Sequence, residues 1–158
     1  MKLKGFSTVE IIVVIIIILL LIGGNVFLSL YLQKKNQDLS VLSDLSRIKS
    51  GLDLYYSLNR TYPLKAQVVE LNDEYEGTEI ICANGFGRKK DGCDKFLAIV
   101  PNTYFQQGNR YSYQTNENAS SYQIQFNLLT NISYLRLIKG PNCLVDGVIQ
   151  SGKCVFNQ

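Results

Sequence analysis

The chain has 158 residues, a net charge of +3, four cysteines, no His and no Trp. Without His, the commonest general base and the commonest metal ligand are both missing, and so small a positive charge makes no case for nucleic acid by itself. The length allows one membrane segment and one small soluble domain of roughly 100 residues, enough for a modest core.

The chain opens with Lys2 and Lys4, then Gly5-Phe6-Ser7-Thr8-Val9-Glu10, and then an uncharged apolar run from Ile11 to Leu32. Twenty-two helical residues at ~1.5 Å each reach about 33 Å, enough to span a hydrocarbon layer of ~30 Å. Glu10 therefore places a carboxylate at the head of a membrane-length segment. There a charge costs a few kcal/mol and counts as a functional residue by default. A structural role competes with that reading: Ser7-Thr8-Val9-Glu10 fits the capping box Ser-x-x-Glu, flanked by Phe6 and Ile11 as a hydrophobic staple. An ordinary secretory signal ends in a small-residue cleavage site beyond its apolar core, and no Ala-x-Ala follows this one. Lys2 and Lys4 favour a cytoplasmic N-terminus, whereas Lys34 and Lys35 at the far end oppose part of that bias. Gly23-Gly24-Asn25 interrupts the run. It reads either as a close helix contact or as a hinge, since each Gly costs a helix about 1 kcal/mol relative to Ala.

Beyond the run the helix is expected to continue. Leu42, Leu45, Ile48, Leu52, Tyr55 and Tyr56 recur at steps of three and four, with Asp44, Arg47, Lys49 and Asp53 between them. Asn59-Arg60-Thr61 and Pro63 predict its end, giving one helix over about residues 7–59. Residues 64–98 read as a loop-rich connection with an acidic stretch (Asp73, Glu74, Glu76, Glu79) and a basic triplet, Arg88-Lys89-Lys90. Arg110–Gln114 and Tyr122–Phe126 alternate polar and apolar around the turn formers Thr115–Ser120, a β-hairpin signal. Residues 132–138 and 144–149 are weaker strand candidates, with Gly140-Pro141-Asn142 as a turn. A helix followed by antiparallel strands predicts an α+β fold, with a small sheet packed on the C-terminal half of the helix.

Cys82, Cys93, Cys143 and Cys154 form no Cys-x-x-Cys, and no His can complete a zinc site. An even number in an exported head reads as two disulfides, while in a reducing compartment the same residues would be four buried thiols. Three pairings are possible. Cys82–Cys93 and Cys143–Cys154 are favoured, because each encloses ten residues that include glycine turn formers.

The N-terminal residues Gly5-Phe6-Ser7-Thr8-Val9-Glu10, with the basic leader before them and the apolar run after, resemble the class III signal peptide of type IV pilins and of the pseudopilins of type II secretion. Tyr55 to Pro63 also resembles the motif in which the pilin stem ends at a Tyr-Pro. The resemblance implies a leader over 1–5, a transmembrane and filament-core helix over 6–32, an amphipathic head helix over 33–62 and a disulfide-bonded β head over 63–158. It implies cleavage between Gly5 and Phe6 by a prepilin peptidase, N-methylation of Phe6, and an ion pair between Glu10 and the Phe6 α-amine of a neighbouring subunit. The expected product is a homo-oligomeric filament outside the cytoplasm, on the cell surface or in the periplasm. Its partners are an inner-membrane assembly platform and, before assembly, membrane lipid. The family also suggests calcium as a ligand of Asp73, Glu74, Glu76 and Glu79. These lack EF-hand spacing, and a solvated acidic loop is the plainer reading. Arg88-Lys89-Lys90 is either a phosphate contact or a solubilising loop. Asn59, Asn118 and Asn131 head glycosylation sequons. No Gly-x-Ser-x-Gly, P-loop or dinucleotide fingerprint is present, so neither catalysis nor a cofactor is expected. The reading from a different class is an uncleaved, single-pass anchored binding or receptor module.

Overall fold

The structure, a computed structural model, describes residues 8–101 and 110–155, and within its helix not the side chains of 23–27. The chain divides into two units, Met1–Asn36 and Gln37–Gln158.

Helix α1 covers Thr8–Asn59, matching the predicted span. No proline interrupts it before Pro63. At its end the Arg60 N–H returns to the Tyr56 carbonyl at 2.8 Å while Arg60 turns left-handed, with φ of 60°. The Asn59 amide donates to Tyr55 O at 3.2 Å and to Ala83 O at 2.9 Å, the second bond tying that end of the helix to the head. In the second unit the buried large apolar positions of α1, with Asp38 and Asp44 buried beside them, are Val41, Leu45, Ile48, Leu52 and Tyr55. Their 4-3-4-3 spacing keeps one stripe on the core. Leu42 and Tyr56, predicted in the stripe, instead flank it: Leu42 is half-buried and Tyr56 is exposed.

The stripe packs on a five-stranded antiparallel sheet of order β1-β5-β6-β7-β8, built from Val69–Glu70, Ser112–Thr115, Tyr122–Leu128, Gly140–Val145 and Val148–Ser151. The predicted hairpin is present as β5–β6, with Thr115 opposite Tyr122 and Ser112 opposite Gln125. On β6, Tyr122, Ile124, Phe126 and Leu128 face the core and alternate with half-buried polar residues. The Tyr113 hydroxyl donates to Pro63 O at 2.9 Å. Its ring lies between Phe86 and Tyr122, with centroids at 5.0 and 6.2 Å. Burial pushes the Tyr113 and Tyr122 hydroxyls well above the usual tyrosine range.

Three expectations are corrected. Residues 64–98 are not only loop: Ile80–Cys82, Gly85–Gly87 and Phe96–Ile99 form a second sheet of order β3-β2-β4. Its three- and four-residue strands are too short to show an alternation. The sheet lies against α1 at Gly51, where an added Cβ would sit 2.7 Å from the Ala98 Cβ and 2.9 Å from the Ile81 Cδ1. Gly140-Pro141-Asn142 is not a turn but opens β7. Pro141 is accommodated because its nitrogen, like its carbonyl, faces the β8 side, where pairing ends at Ser151. That carbonyl accepts from Gly152 N at 3.2 Å. The turn lies instead at Asp146-Gly147, inside the expected 144–149 strand, which is thereby divided between β7 and β8. Its φ values of 47° and 84° are the two positive angles a type I′ hairpin requires. Residues 132–138 are not a strand. Ile132 and Leu137 are buried and bridge one another, while a 3-10 turn, Ser133–Leu135, and the left-handed Arg136 reverse the chain between them.

Candidate functional site

The sequence directs attention first to the N-terminal unit. Gly5, Phe6 and Ser7, which carry the cleavage, methylation and capping-box expectations, lie outside the described residues. Glu10 stands in the first turn of α1, where the helix macrodipole favours a carboxylate. From Val9 to Ile22 each large apolar side chain is between 48% and 70% exposed, with no polar face among residues 11–22. A helix that is apolar all round needs a non-aqueous cover on every side. Among the described residues no helix is long and apolar enough to cross a membrane. The apolar run is described continuously, side chains included, only as far as Ile22, and residues 23–27 interrupt it there.

In the head the acidic stretch does not converge. Asp73 Oδ1 accepts from the N–H groups of Tyr75 and Glu76 at 2.7 and 3.1 Å, and Oδ2 accepts from Arg110 at 2.6 Å. Arg110 also pairs with Glu70. Glu76 accepts from Glu70 N, Glu79 from Lys89 N, and Glu74 pairs with Lys90 at 2.6 Å. Each of the four acids proposed as calcium ligands thus closes a loop bond of its own. Among the described residues no group of three or more His, Cys, Asp or Glu is placed to hold a metal ion. Of the basic triplet, Lys90 gives its charge to Glu74, while Lys89 contributes a backbone N–H to Glu79.

The N–H of Glu76 first, then that of Tyr75 and the guanidinium of Arg110, hold the Asp73 carboxyl below its ordinary 3.8. A depressed carboxyl stabilises the loop fully above its unfolded value and loses that contribution as pH falls through the folded one. The 70–79 loop should therefore stay ordered at pH 3.8 and loosen below it. A carboxyl NMR titration checks this: Arg110→Ala should move Asp73 only part of the way to its ordinary value, because the backbone donors remain. A wild-type Asp73 titrating at or above 3.8 would contradict it.

Both local disulfides are present, Cys82–Cys93 and Cys143–Cys154, with Cα separations of 6.0 and 5.0 Å. The first fastens β2 to the segment before β4, and the second fastens β7 to the tail after β8. Closing a loop of this length restricts the unfolded chain by roughly 3 kcal/mol on the chain-entropy account. Replacing Cys143 and Cys154 by Ser should therefore lower the urea midpoint of the head by an amount worth about 3 kcal/mol. An unchanged midpoint would make that bridge incidental.

The sequons differ in their commitments. Asn59 is held at the helix end and Asn131 accepts from Lys139 N at 2.7 Å. Asn118 is exposed at the β5–β6 turn and forms no hydrogen bond within the described chain. Sequence reasoning missed two further features. One is Asp38, an acid buried to 1% exposure on α1. The other is a polar cleft beside the β5–β6 turn. Asp38 carries no motif. The cleft is lined by the β5–β6 hairpin and by Ala66, and the hairpin signal gives no sign that its turn borders a cleft.

The fold and its features define an α+β chain with a uniformly apolar N-terminal helical segment and a head held by two disulfides. Comparison with protein-family models, with curated proteins and with solved structures finds no match.

Proposed function

We propose that this chain is a structural subunit of an extracytoplasmic filament of the type IV pilus or type II secretion pseudopilus kind. The observation that carries the reading is the segment Thr8–Ile22: helical, apolar on every side, exposed, and charged only at Glu10 in its first turn. Such a segment suits two successive environments, the bilayer before assembly and a bundle of like helices afterwards. In both, backbone groups are satisfied within the helix and the cover is apolar. Repeated head-to-tail contacts between identical subunits that do not close into a ring then generate a filament. On this reading the apolar run through Leu32 spans the membrane with its N-terminus in the cytoplasm. The disulfide-bonded head lies outside, where oxidation is expected.

Gly5 and Phe6 are the junction cut by a prepilin peptidase, and Phe6 carries the methylated amine. Glu10 joins that amine on the neighbouring stem, an ion pair that offsets the cost of holding both charges in a dry environment. The chain catalyses nothing and needs no cofactor. Its partners are copies of itself, the peptidase, an assembly platform in the inner membrane and lipid.

Mass spectrometry of the mature N-terminus separates this from an uncleaved anchored module. The expected product begins at methylated Phe6, and an intact Met1 would refute it. Gly5→Leu should block processing, because a branched side chain obstructs the peptidase where glycine has none. The variant should accumulate as a precursor heavier by the five leader residues. Its normal maturation would remove the leader assignment.

A further inference from the structure

At the end of the head where α1 stops, three turns are joined. Tyr62 N donates to Ala119 O at 2.7 Å, Thr115 N donates to Lys65 O at 2.9 Å, and the Ser121 hydroxyl donates to Asp146 Oδ2 at 2.8 Å. Beside these bonds lies a cleft of about 390 Å³, within the range of sites for small ligands. Part of its wall is fixed from within. Asn116 Oδ1 accepts from Ser120 N and Ser121 N at 2.8 and 3.2 Å, and its Nδ2 donates to the Ser120 hydroxyl at 2.8 Å. Gln114 Nε2 donates to Ala66 O, and Thr115 Oγ1 accepts from Lys65 N at 3.0 Å. The side chains of Glu117, Asn118 and Gln123 line the same cleft and make no hydrogen bond within the described chain. Three polar side chains thus project from a braced wall and are available to a ligand, each at an ordering cost on binding.

We propose that this cleft binds a neutral saccharide through Glu117, Asn118 and Gln123. The lining narrows the ligand class by charge, polarity and backbone pairing. It contains no Lys or Arg, and Glu117 adds a negative charge, so phosphates, carboxylates and nucleic-acid backbones are repelled. Ala66 is its one apolar residue, so neither a lipid chain nor an apolar peptide side chain finds a pocket. A peptide added as a strand needs an unpaired edge, and at Thr115 the backbone N–H is already taken by Lys65. A sugar hydroxyl is donor and acceptor at once. Two carboxamides supply both functions and a carboxylate accepts from two hydroxyls, a match to a ring bearing several neighbouring hydroxyls.

The test uses the full chain, isotope-labelled, in phosphocholine detergent, which carries no sugar. Methyl β-galactoside, methyl α-glucoside and N-acetylglucosamine are titrated separately, with methyl glucuronide and a blocked glycine peptide as comparators. At least one neutral sugar should give saturable amide shifts confined to residues 66, 114–118, 121 and 123, with a Kd of about 1 mM. Asn118→Ala combined with Gln123→Ala should weaken that binding about tenfold or more, while the thermal melt stays in place. The glucuronide should bind more weakly than the neutral sugar, and Glu117→Gln should remove the difference. No saturable shift with any of the three sugars, or equal shifts with the peptide, would overturn the proposal. So would a mass increment showing that the cleft is covered by a glycan attached at Asn118. None of these readouts involves filaments, so the failure of this proposal and that of the filament reading are distinguishable.

Discussion

Glu10→Val should leave the protein inserted and processed but without filaments. On the proposed reading the acid's work is done only at assembly. In the membrane a carboxylate costs up to about 3 kcal/mol at the helix centre and less toward its end, a cost that valine removes, so the variant should enter the bilayer at least as well. In the filament the carboxylate meets the Phe6 amine of its neighbour. Removing one member leaves the other charge buried without its partner, and such breaks cost about 3–5 kcal/mol. Each 1.4 kcal/mol is a factor of ten, so every subunit addition weakens by roughly two orders of magnitude or more. Because growth repeats that step, the filament should be lost rather than thinned. Shearing, sedimentation and electron microscopy measure it, with mature protein in the membrane fraction as the control. Abundant filaments from the variant would confine Glu10 to capping its own helix. Glu10→Asp sharpens the test: it keeps the charge but shortens the reach, so partial assembly is expected.

How much of this was legible beforehand differs by element, and the reason is periodicity. The helix was readable to its last residue because apolar positions recur at three and four for several turns and Pro63 stops them. The β5–β6 hairpin was readable because Tyr122 to Leu128 alternates over seven residues. Both disulfides followed from spacing, since ten enclosed residues with glycines among them close easily. The second sheet was hidden because Ile80–Cys82 and Gly85–Gly87 are three residues each, too few for a period to show. The β7–β8 turn was misplaced for a different reason. Gly140-Pro141-Asn142 and Asp146-Gly147 both signal turns, and only Asp-Gly lies between two apolar runs, Leu144-Val145 and Val148-Ile149. That flanking pattern marks a type I′ hairpin and decides between them. The acidic stretch offered two readings, a calcium site and, more plainly, a solvated loop, and only the fold shows its oxygens distributed among backbone N–H groups, Arg110 and Lys90. The polar cleft could not be read, although seven of its eight lining residues lie within the predicted hairpin, because only folding brings Ala66 and the 65–66 backbone against that turn.

Asp38→Ala should destabilise the head by about 3–5 kcal/mol, as much as truncating a fully buried leucine of the same helix. Asp38 is 1% exposed and Asp44 3%, yet nothing in the sequence distinguishes them from the exposed Asp53. Its Oδ1 accepts from Leu129 N at 2.7 Å. Its Oδ2 accepts from Thr130 N at 2.8 Å and from the Thr130 hydroxyl at 2.5 Å. The carboxylate thus receives the backbone just where β6 ends and the chain must leave the sheet, and it holds that exit against the first turn of helix in the head. Hydrogen bonds to a charged group contribute about 1.5–3 kcal/mol, and buried donors left without a partner cost about 1–3 kcal/mol each. Alanine incurs both effects and cannot be rescued by repacking, because what it abandons is polar. Asp38→Asn should lose less. It keeps the shape and one acceptor, but turns an NH2 group toward donors. Asp53→Ala is the control: its pair with Lys49 at 2.6 Å is an exposed i,i+4 contact, worth about 0.5 kcal/mol or less. Urea unfolding of the full chain in detergent, followed by near-ultraviolet circular dichroism of the head's tyrosines, ranks the three. The order Asp38→Ala, Asp38→Asn, Asp53→Ala from most to least damaging is expected. An Asp38→Ala protein within 1 kcal/mol of the parent would mean that Leu129 and Thr130 find other acceptors, and that the buried acid is not what joins helix to sheet.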